Sequence, residues 1–129
     1  MSIDLNHVKY LSFDTLDSTL LEAKRYWSKP SSPKVPTVIV ANEQYAGVGR
    51  DGRRWQSPRG GLWMTMVWPT EVEIDFYQPL PLIAGLSLIY TLEELFQFST
   101  KIKWPNDVLF QNRKLAGILC KTQIGRAHV

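Results

Sequence analysis

Residues 37–68, TVIVANEQYAGVGRDGRRWQSPRGGLWMTMVW, place a glycine- and arginine-rich segment between two apolar ones. Residues 37–43 and 62–68 are rich in β-branched, aromatic and other apolar side chains, and each segment predicts a strand. Residues 45–61 hold five of the chain's eight glycines and four arginines, with almost no side chain suited to a core. We therefore expect a loop over residues 45–61 that joins two strands.

The sequence on either side of this segment predicts two helices and more short strands. A strand is predicted at residues 8–14, and a helix at residues 17–27 with possible N-caps at its first three residues. Residues 80–98 predict the main helix, and further strands are predicted at residues 101–104, 107–110 and 114–121, with a turn at 111–113. This mixture predicts an α+β fold, a mixed β-sheet with flanking helices. The sequence contains no obvious linker, so one domain is the simplest organisation.

The main predicted helix has an apolar pattern. Leu82, Leu86, Ile89 and Phe96 recur at near-helical spacing, which predicts that they face a core.

Composition limits the classes of ligand and compartment. The chain has 129 residues, 44% of them hydrophobic, and a formal net charge of +3, which favours anionic ligands without requiring nucleic acid. Its single cysteine, Cys120, excludes an internal disulfide and fits a reducing compartment. The N-terminus resembles no signal peptide, and the longest apolar stretch is too short to span a bilayer. We expect a soluble, cytoplasmic protein without a membrane partner.

Three known kinds of glycine-rich segment can be compared with residues 45–61. Gly47, Gly49 and Gly52 match the dinucleotide-binding G-x-G-x-x-G pattern, but the residues that follow do not open a helix. Arg53 and Arg54 stand where a phosphate-binding P-loop needs lysine and a hydroxyl residue. A flexible, solvated hairpin is the third possibility. We favour an anion site, because glycines let backbone N–H groups approach a ligand and arginines match phosphate or carboxylate oxygens.

Three motifs in order resemble the biotin protein ligase family. They are GVGRDGRRWQSPRGGLW at residues 47–63, KWPNDV at 103–108 and KLAGIL at 114–119, accompanied by DST at 17–19 and NEQ at 42–44. The resemblance implies a catalytic domain like those of biotin ligases and class II aminoacyl-tRNA synthetases. Because the family continues with further strands, we expect residues 1–123 to be the N-terminal part of that domain and the chain alone not to catalyse the complete reaction. Residues 124–129, IGRAHV, match a translated sequencing adapter, and we expect them to be an artefact.

The resemblance implies a two-step reaction. ATP activates biotin to biotinyl-5'-AMP, which then modifies a lysine of a biotin carboxyl carrier protein. Biotin and ATP are the implied substrates, with Mg²⁺ on the triphosphate. We expect no nucleic-acid partner, and the sequence leaves the oligomeric state open, with a homodimer as one option.

The resemblance also assigns roles to individual residues. The catalytic residues are Arg50 and Lys114. The implied biotin-binding residues are Ser18, Thr19, Gln44, Gly49, Arg50, Trp55 and Lys114. The implied ATP- and phosphate-binding residues are Gly47, Arg50, Arg53, Lys103, Asn106 and Asp107. No metal site is formed by the protein alone, although Mg²⁺ is expected near Asp107.

Several of these residues have plainer alternatives. Ser18 can be only a helix cap, Asn106 and Asp107 can be turn residues, and Lys114 can be a solvated hairpin lysine. Leu20 and Val48 depart from the family, which commonly has polar residues at both positions.

Two other functions stay open at this point. A lipoate-attaching enzyme uses the same adenylate chemistry, but its Arg-Arg-x-Ser-Gly-Gly block is missing from the sequence. A nucleic-acid-binding module would use arginines on phosphates and tryptophans for stacking. Its candidate residues are Arg50, Arg53, Arg54, Arg59, Trp55 and Trp63.

Overall fold

A computed structural model of the chain describes residues 5–69 and 79–121. These residues belong to two compact units, residues 1–71 and residues 72–129, and each unit is described by itself. The elements of the first unit are a short 3₁₀ turn (Leu5–His7), β1 (Lys9–Leu16), α1 (Thr19–Ser28), β2 (Thr37–Val48), a second 3₁₀ turn (Arg50–Gly52), β3 (Arg54–Ser57) and β4 (Trp63–Val67). The elements of the second unit are α2 (Leu80–Phe96), β5 (Thr100–Lys103), β6 (Asp107–Phe110) and β7 (Arg113–Gly117).

Strand β2 is the centre of the sheet in the first unit. It pairs in parallel with β1 on one side, from Thr37 opposite Lys9 to Gln44 opposite Leu16. Its other side pairs antiparallel with β4 over its first half and with β3 over its second half. The two ends of the long strand β2 therefore have different neighbours.

Helix α1 connects the two parallel strands and packs on their sheet. Ala23 of the helix lies in one buried cluster with Leu16, Ile39 and Ala41. Partly buried apolar side chains pack against this cluster, namely Leu11, Phe13, Tyr26 and Val67. The sequence thus has a strand, a helix with an apolar face and another strand in succession, and this order gives a sheet that is covered by one helix.

The predicted loop over residues 45–61 is wrong for much of its length. Strand β2 continues through Val48, and residues 54–57 form β3, so this segment is a strand hairpin with a short tip. At the tip, Asp51 and Gly52 have φ angles of 57° and 73°, in the left-handed region that tight turns use. The sequence pattern does not predict these strands, because glycine and arginine have only a weak preference for strand. The pairing across the hairpin supplies the stability of both strands.

The second unit places one helix beside a three-stranded antiparallel sheet. Strand β6 lies between β5 and β7, and the β6–β7 turn consists of Gln111 and Asn112, both with positive φ. A Cβ added to Gly85 would lie 2.7 Å from Ile102 Cδ1, so α2 approaches β5 closely at this glycine. The predicted helix and strands are confirmed, although β7 ends at Gly117, earlier than expected.

The predicted inward face of α2 is partly wrong. Leu86 and Phe96 are 40% and 58% exposed, whereas Gly85 is buried. The apolar residues of α2 lie on most sides of the helix, so their spacing alone does not identify the face that contacts the sheet. Within residues 5–69 and 79–121, no helix is long and apolar enough to span a membrane.

Candidate active site

A β-bulge lies in the β2–β3 hairpin beside several predicted biotin-binding residues. Gln44 is opposite Ser57 and Gly47 is opposite Trp55, so two residues of β2, Tyr45 and Ala46, face one residue of β3, Gln56. The backbone N–H of Ala46, one of these two residues, donates to the carbonyl oxygen of Asp17 at 2.8 Å. The bulge therefore ties the hairpin to the turn that precedes α1.

Ser18 is the N-cap of α1. Its Oγ accepts a hydrogen bond from the backbone N–H of Leu21 at 3.0 Å, and its side chain is buried. The prediction that Ser18 caps the helix is confirmed. Because the hydroxyl accepts this bond, its own proton can still be donated to a ligand.

Thr19 and Gln44 are in direct contact. The backbone N–H of Thr19 donates to Gln44 Oε1 at 2.7 Å, and Gln44 Nε2 donates to Ser57 Oγ at 2.9 Å. The hydroxyls of Thr19 and Thr65 lie 2.7 Å apart and share a hydrogen bond. The structure thus joins two predicted biotin-binding residues in one network with Ser57 and Thr65, which the sequence analysis did not assign to the site.

Gly47 and Gly49 differ in what requires a glycine. A Cβ added to Gly47 would lie 2.8 Å from Gln44 Nε2 and 2.8 Å from the carbonyl oxygen of Trp55, closer than real contacts. At Gly49 the nearest atom, Trp55 Cε3, would be 3.5 Å away, an ordinary contact. The fold of this unit therefore requires a glycine at position 47 but would accept a side chain at position 49.

The tip of the hairpin carries two predicted phosphate-binding arginines. Arg50 and Arg53 have exposed side chains, and Trp55 is half-buried. The backbone N–H of Gly49 donates to the carbonyl oxygen of Arg53 at 2.6 Å, and the N–H of Arg53 donates to the carbonyl oxygen of Arg50 at 3.1 Å. These bonds close a compact turn, and Arg50 and Arg53 both belong to this short segment.

Two residues that a nucleic-acid-binding module would use already have bonding partners within the first unit. Arg59 forms ion pairs with Asp14 at 2.6 Å and with Glu43 at 3.2 Å. The indole N–H of Trp63 donates to the carbonyl oxygen of Pro58 at 2.8 Å. These contacts weaken the interpretation of Arg59 and Trp63 as phosphate and base contacts.

The second unit brings three other predicted site residues together on its sheet. Lys103 lies opposite Asp107 in the β5–β6 pair, and Lys114 Nζ lies 3.2 Å from Asp107 Oδ1. The side chain of Lys114 is 45% exposed and that of Asp107 only 17%. Lys114 is thus ion-paired and also exposed, so its predicted contact with the reacting groups stays a prediction beside the plainer alternative of a solvated hairpin lysine.

Asn106 connects the turn after β5 to the chain beyond β7. Its Nδ2 donates to the carbonyl oxygen of Ile118 at 3.1 Å, and the Ile118 N–H donates to the carbonyl oxygen of Asn106 at 2.9 Å. A structural role for Asn106 is therefore clear, whereas its predicted contact with ATP stays a prediction.

The residues around Asp107 do not fit a metal ion held by the protein. Asp107 Oδ1 is buried and lacks a hydrogen-bond partner among the described residues, and its neighbouring charge is the ammonium of Lys114. Within the described parts of the chain there is no group of three or more His, Cys, Asp or Glu side chains that could hold an ion. The Lys114 ammonium beside the Asp107 carboxylate opposes cation binding there. We therefore assign no step to a protein-bound metal.

The carboxylate of Asp17 organises the start of α1. It accepts two hydrogen bonds from Arg25, at 2.8 and 2.9 Å, and one from the backbone N–H of Ser18 at 2.7 Å. The bonds from the Arg25 guanidinium are the main reason that the pKa of Asp17 falls to about 2. Asp17 therefore stays charged over a wide pH range and holds the Ser18 backbone in place.

We expect acid to destabilise the first unit as the pH falls through the range of these carboxylates. The pKa values of Asp14, beside Arg59, and of Asp17 are lowered from 3.8 to about 2 in the folded chain. Their stabilising contribution is complete above the unfolded pKa and is lost as the pH falls towards the folded one. Urea unfolding between about pH 5 and about pH 2 should show this loss, with a flatter profile for Asp17→Asn. Identical profiles for wild type and variant would contradict the prediction.

Comparison with known proteins identifies the family. A model of the biotin/lipoate A/B protein ligase family matches residues 13–129. The chain belongs to this family. The family predicted from the motifs around residues 47–63, 103–108 and 114–119 is thereby confirmed.

Individual relatives are biotin ligases. The bifunctional ligase/repressor BirA of Bacillus subtilis is 38% identical over 88 residues, which cover 67% of this chain and 27% of that protein. The biotin protein ligase of Leishmania major, solved with biotinyl-5-AMP, has a TM-score of 0.76 and 28% identity, over 86% of this chain and 51% of that chain. The Aquifex aeolicus enzyme with biotin and ATP has a TM-score of 0.70 and 33% identity, over 88% and 47%.

These comparisons also define how much of a ligase the chain represents. The chain spans about a quarter of the B. subtilis relative and about half of each solved ligase chain. Over this portion, the predicted mixed-sheet fold of a biotin ligase-like catalytic domain is confirmed. The predicted artefact at residues 124–129 lies outside the described residues.

Proposed function

We propose that this chain contributes the biotin-binding and biotin-activating residues of a biotin protein ligase. The observation that carries the proposal is the network at the bulge, where Thr19 and Gln44, two residues that the resemblance assigns to biotin, bond to each other. The relatives solved with biotin, biotinyl-5-AMP and ATP support biotin over lipoate as the substrate.

Biotin carries an uncharged ureido ring, which neutral hydrogen-bonding groups suit better than charged ones. Ser18, Thr19 and Gln44 are neutral, and the first two are buried. Each retains hydrogen-bonding capacity beyond its contacts within the unit, since a hydroxyl and an amide have several donor and acceptor positions. Trp55 supplies an apolar surface for the rest of the ligand. We propose that these residues hold the ring and leave the biotin carboxylate at the hairpin tip.

In the first reaction step, a biotin carboxylate oxygen attacks the α-phosphorus of ATP. A carboxyl O–P bond forms, the bond from the α-phosphorus to the bridging oxygen breaks, and pyrophosphate leaves. Both reactants are anions, so fixed cations and positioning supply most of the help. We assign this role to Arg50 and Lys114, with Arg53 and Lys103 supporting the phosphates and Mg²⁺ arriving on the ATP. Asp107 acts by holding Lys114, which it contacts at 3.2 Å.

In the second step, a lysine amine of the acceptor attacks the acyl carbon of biotinyl-5'-AMP. An amide bond forms, AMP leaves with the electron pair of the acyl C–O bond, and the amine loses a proton. We propose a biotin carboxyl carrier protein as the acceptor.

We also propose that this chemistry takes place in the cytoplasm. The thiol of Cys120 is half-buried, and burial raises its pKa, so the thiol stays protonated and poorly reactive. A single unpaired cysteine of this kind fits a reducing compartment.

Arg50→Ala should release the intermediate from the protein. Without this guanidinium beside the adenylate, we expect biotinyl-5'-AMP to dissociate about 10- to 100-fold faster and to modify unrelated lysines. The test is filter retention of the adenylate formed from biotin and labelled ATP, followed by biotin transfer to a non-cognate protein. It is performed with residues 1–129 and with residues 1–123 joined to the segment that follows the matched region of the B. subtilis relative.

Arg54→Ala is the matched control for this test, because it removes the same charge from the neighbouring strand β3. Arg54 has an exposed side chain and no assigned role in the site. It should retain the adenylate as long as wild type does. Equal retention by Arg50→Ala would remove Arg50 from the site, and the absence of any biotin adenylate from both wild-type forms would overturn the proposed function.

A further inference from the structure

We propose that Ser57 is a positioning residue of this site, which fixes the orientation of the Gln44 side-chain amide and thereby decides which of its atoms meet the ligand. The inference rests on the proposed function for the identity of the ligand, biotin. Its structural part, the control of Gln44 by Ser57, can be tested without any ligand.

Ser57 can offer Gln44 only an acceptor. The residue is 4% exposed, and its Oγ lies 3.1 Å from the carbonyl oxygen of Trp55 and 2.9 Å from Gln44 Nε2. A carbonyl oxygen cannot donate, so the hydroxyl proton of Ser57 points to Trp55. Ser57 Oγ therefore presents only lone pairs to Gln44. Because lone pairs can only accept, Gln44 must present an N–H group to Ser57.

The oxygen end of the Gln44 amide faces a group that can only donate. The backbone N–H of Thr19 can only donate, and it lies 2.7 Å from Gln44 Oε1. Flipping the amide would place its NH₂ against the Thr19 N–H and its oxygen against the Ser57 lone pairs, losing both hydrogen bonds. In the retained orientation, the amide keeps one N–H and one oxygen lone pair for a ligand.

The backbone around this contact leaves room for it. Gln44 and Ser57 are direct partners in the β2–β3 pairing, at the edge of the bulge. A Cβ added to Gly47 would lie 2.9 Å from Ser57 Oγ and 2.8 Å from Gln44 Nε2, so the glycine keeps open the space that the pair occupies. The serine of the W-Q-S-P segment therefore has a specific task that the anion-binding role of the hairpin does not explain.

The ligand-free test is the ¹⁵N NMR signal of the Gln44 side-chain amide in residues 1–129. In wild type we expect the two amide protons to be well separated from those of solvent-exposed glutamines and slow to exchange. In Ser57→Ala they should move towards the exposed values. Ser32→Ala, which removes another buried serine hydroxyl, is the matched control and should leave them unchanged. Unchanged Gln44 signals in a folded Ser57→Ala chain would overturn the inference.

The ligand-dependent test is a double-mutant cycle on biotin affinity, measured by calorimetry. Ser57→Ala should raise the Kd for biotin about 10-fold in the wild-type background, as expected for one hydrogen bond, and change it less than about 2-fold in a Gln44→Ala background. A residue that only supported the fold would have the same effect in both backgrounds, and that result would overturn the positioning role. If wild type binds no biotin, the proposed function fails, and the NMR comparison alone decides whether Ser57 controls Gln44.

Discussion

Lys114→Ala should slow the formation of biotinyl-5'-AMP by about 100-fold or more. The resemblance assigns this lysine to the reacting carboxylate and phosphate, and one positioned donor or cation at a developing charge contributes about 3 kcal/mol. The measurement is pyrophosphate release at saturating biotin and ATP, in the same two forms of the protein as the Arg50 test. We expect a loss in kcat, because the charge acts mainly in the transition state.

The ion pair with Asp107 requires a control for folding. Lys114→Ala leaves a carboxylate that is only 17% exposed without its neighbouring ammonium, and this should lower the free energy of unfolding. Adding Asp107→Asn removes the unpaired charge and should restore much of the stability without restoring pyrophosphate release. Recovery of turnover in the double variant would show that Lys114 serves the fold and not the chemistry.

Gly47→Ala should damage both the fold and the ligand site. The new methyl group would lie 2.8 Å from Gln44 Nε2 and from the carbonyl oxygen of Trp55, and backbone cannot move as easily as a side-chain end. We expect the free energy of unfolding to fall by about 1–3 kcal/mol, the usual cost of overpacking. The Kd for biotin should rise by about 10-fold or more, because Gln44 loses its position. Urea unfolding and calorimetry measure the two effects.

Gly49→Ala is the informative partner of that variant. Its backbone φ of −101° suits any residue, and the added Cβ would make only ordinary contacts, so stability should change by less than about 0.5 kcal/mol. Ligand retention should nevertheless fall, because the methyl group occupies space that a closely approaching anion needs. If Gly49→Ala retains the adenylate as wild type does, no ligand approaches this part of the backbone.

Local sequence patterns predicted most elements of the fold. The helix after Ser18, the main helix near residues 80–98 and the turn at Gln111 and Asn112 each depend on nearby residues, and the structure contains them. Strand β3 was missed, because Arg54–Ser57 gains its stability from pairing with β2 and not from its own composition. The register that creates the bulge likewise depends on two strands together.

The site was predictable only in part, for the same physical reason. Ser18, Thr19, Gln44 and Lys114 were named from the resemblance, since the residues alone predicted no more than an anion site. Ser57 and Thr65 act through contacts across 13 and 46 residues of sequence, so nothing beside them in the chain reveals those contacts. Their hydrogen bonds to predicted site residues become visible only in three dimensions.

A calorimetric titration of the 129-residue chain with biotin, and in parallel with lipoate, tests the central claim most directly. Lipoate carries a carboxylate but no ureido ring, so a site built from Ser18, Thr19 and Gln44 should reject it. We predict saturable binding of biotin with one site per chain and binding of lipoate weaker by at least about 100-fold. Equal affinity for the two ligands, or binding of lipoate alone, would contradict the assignment of this site to biotin.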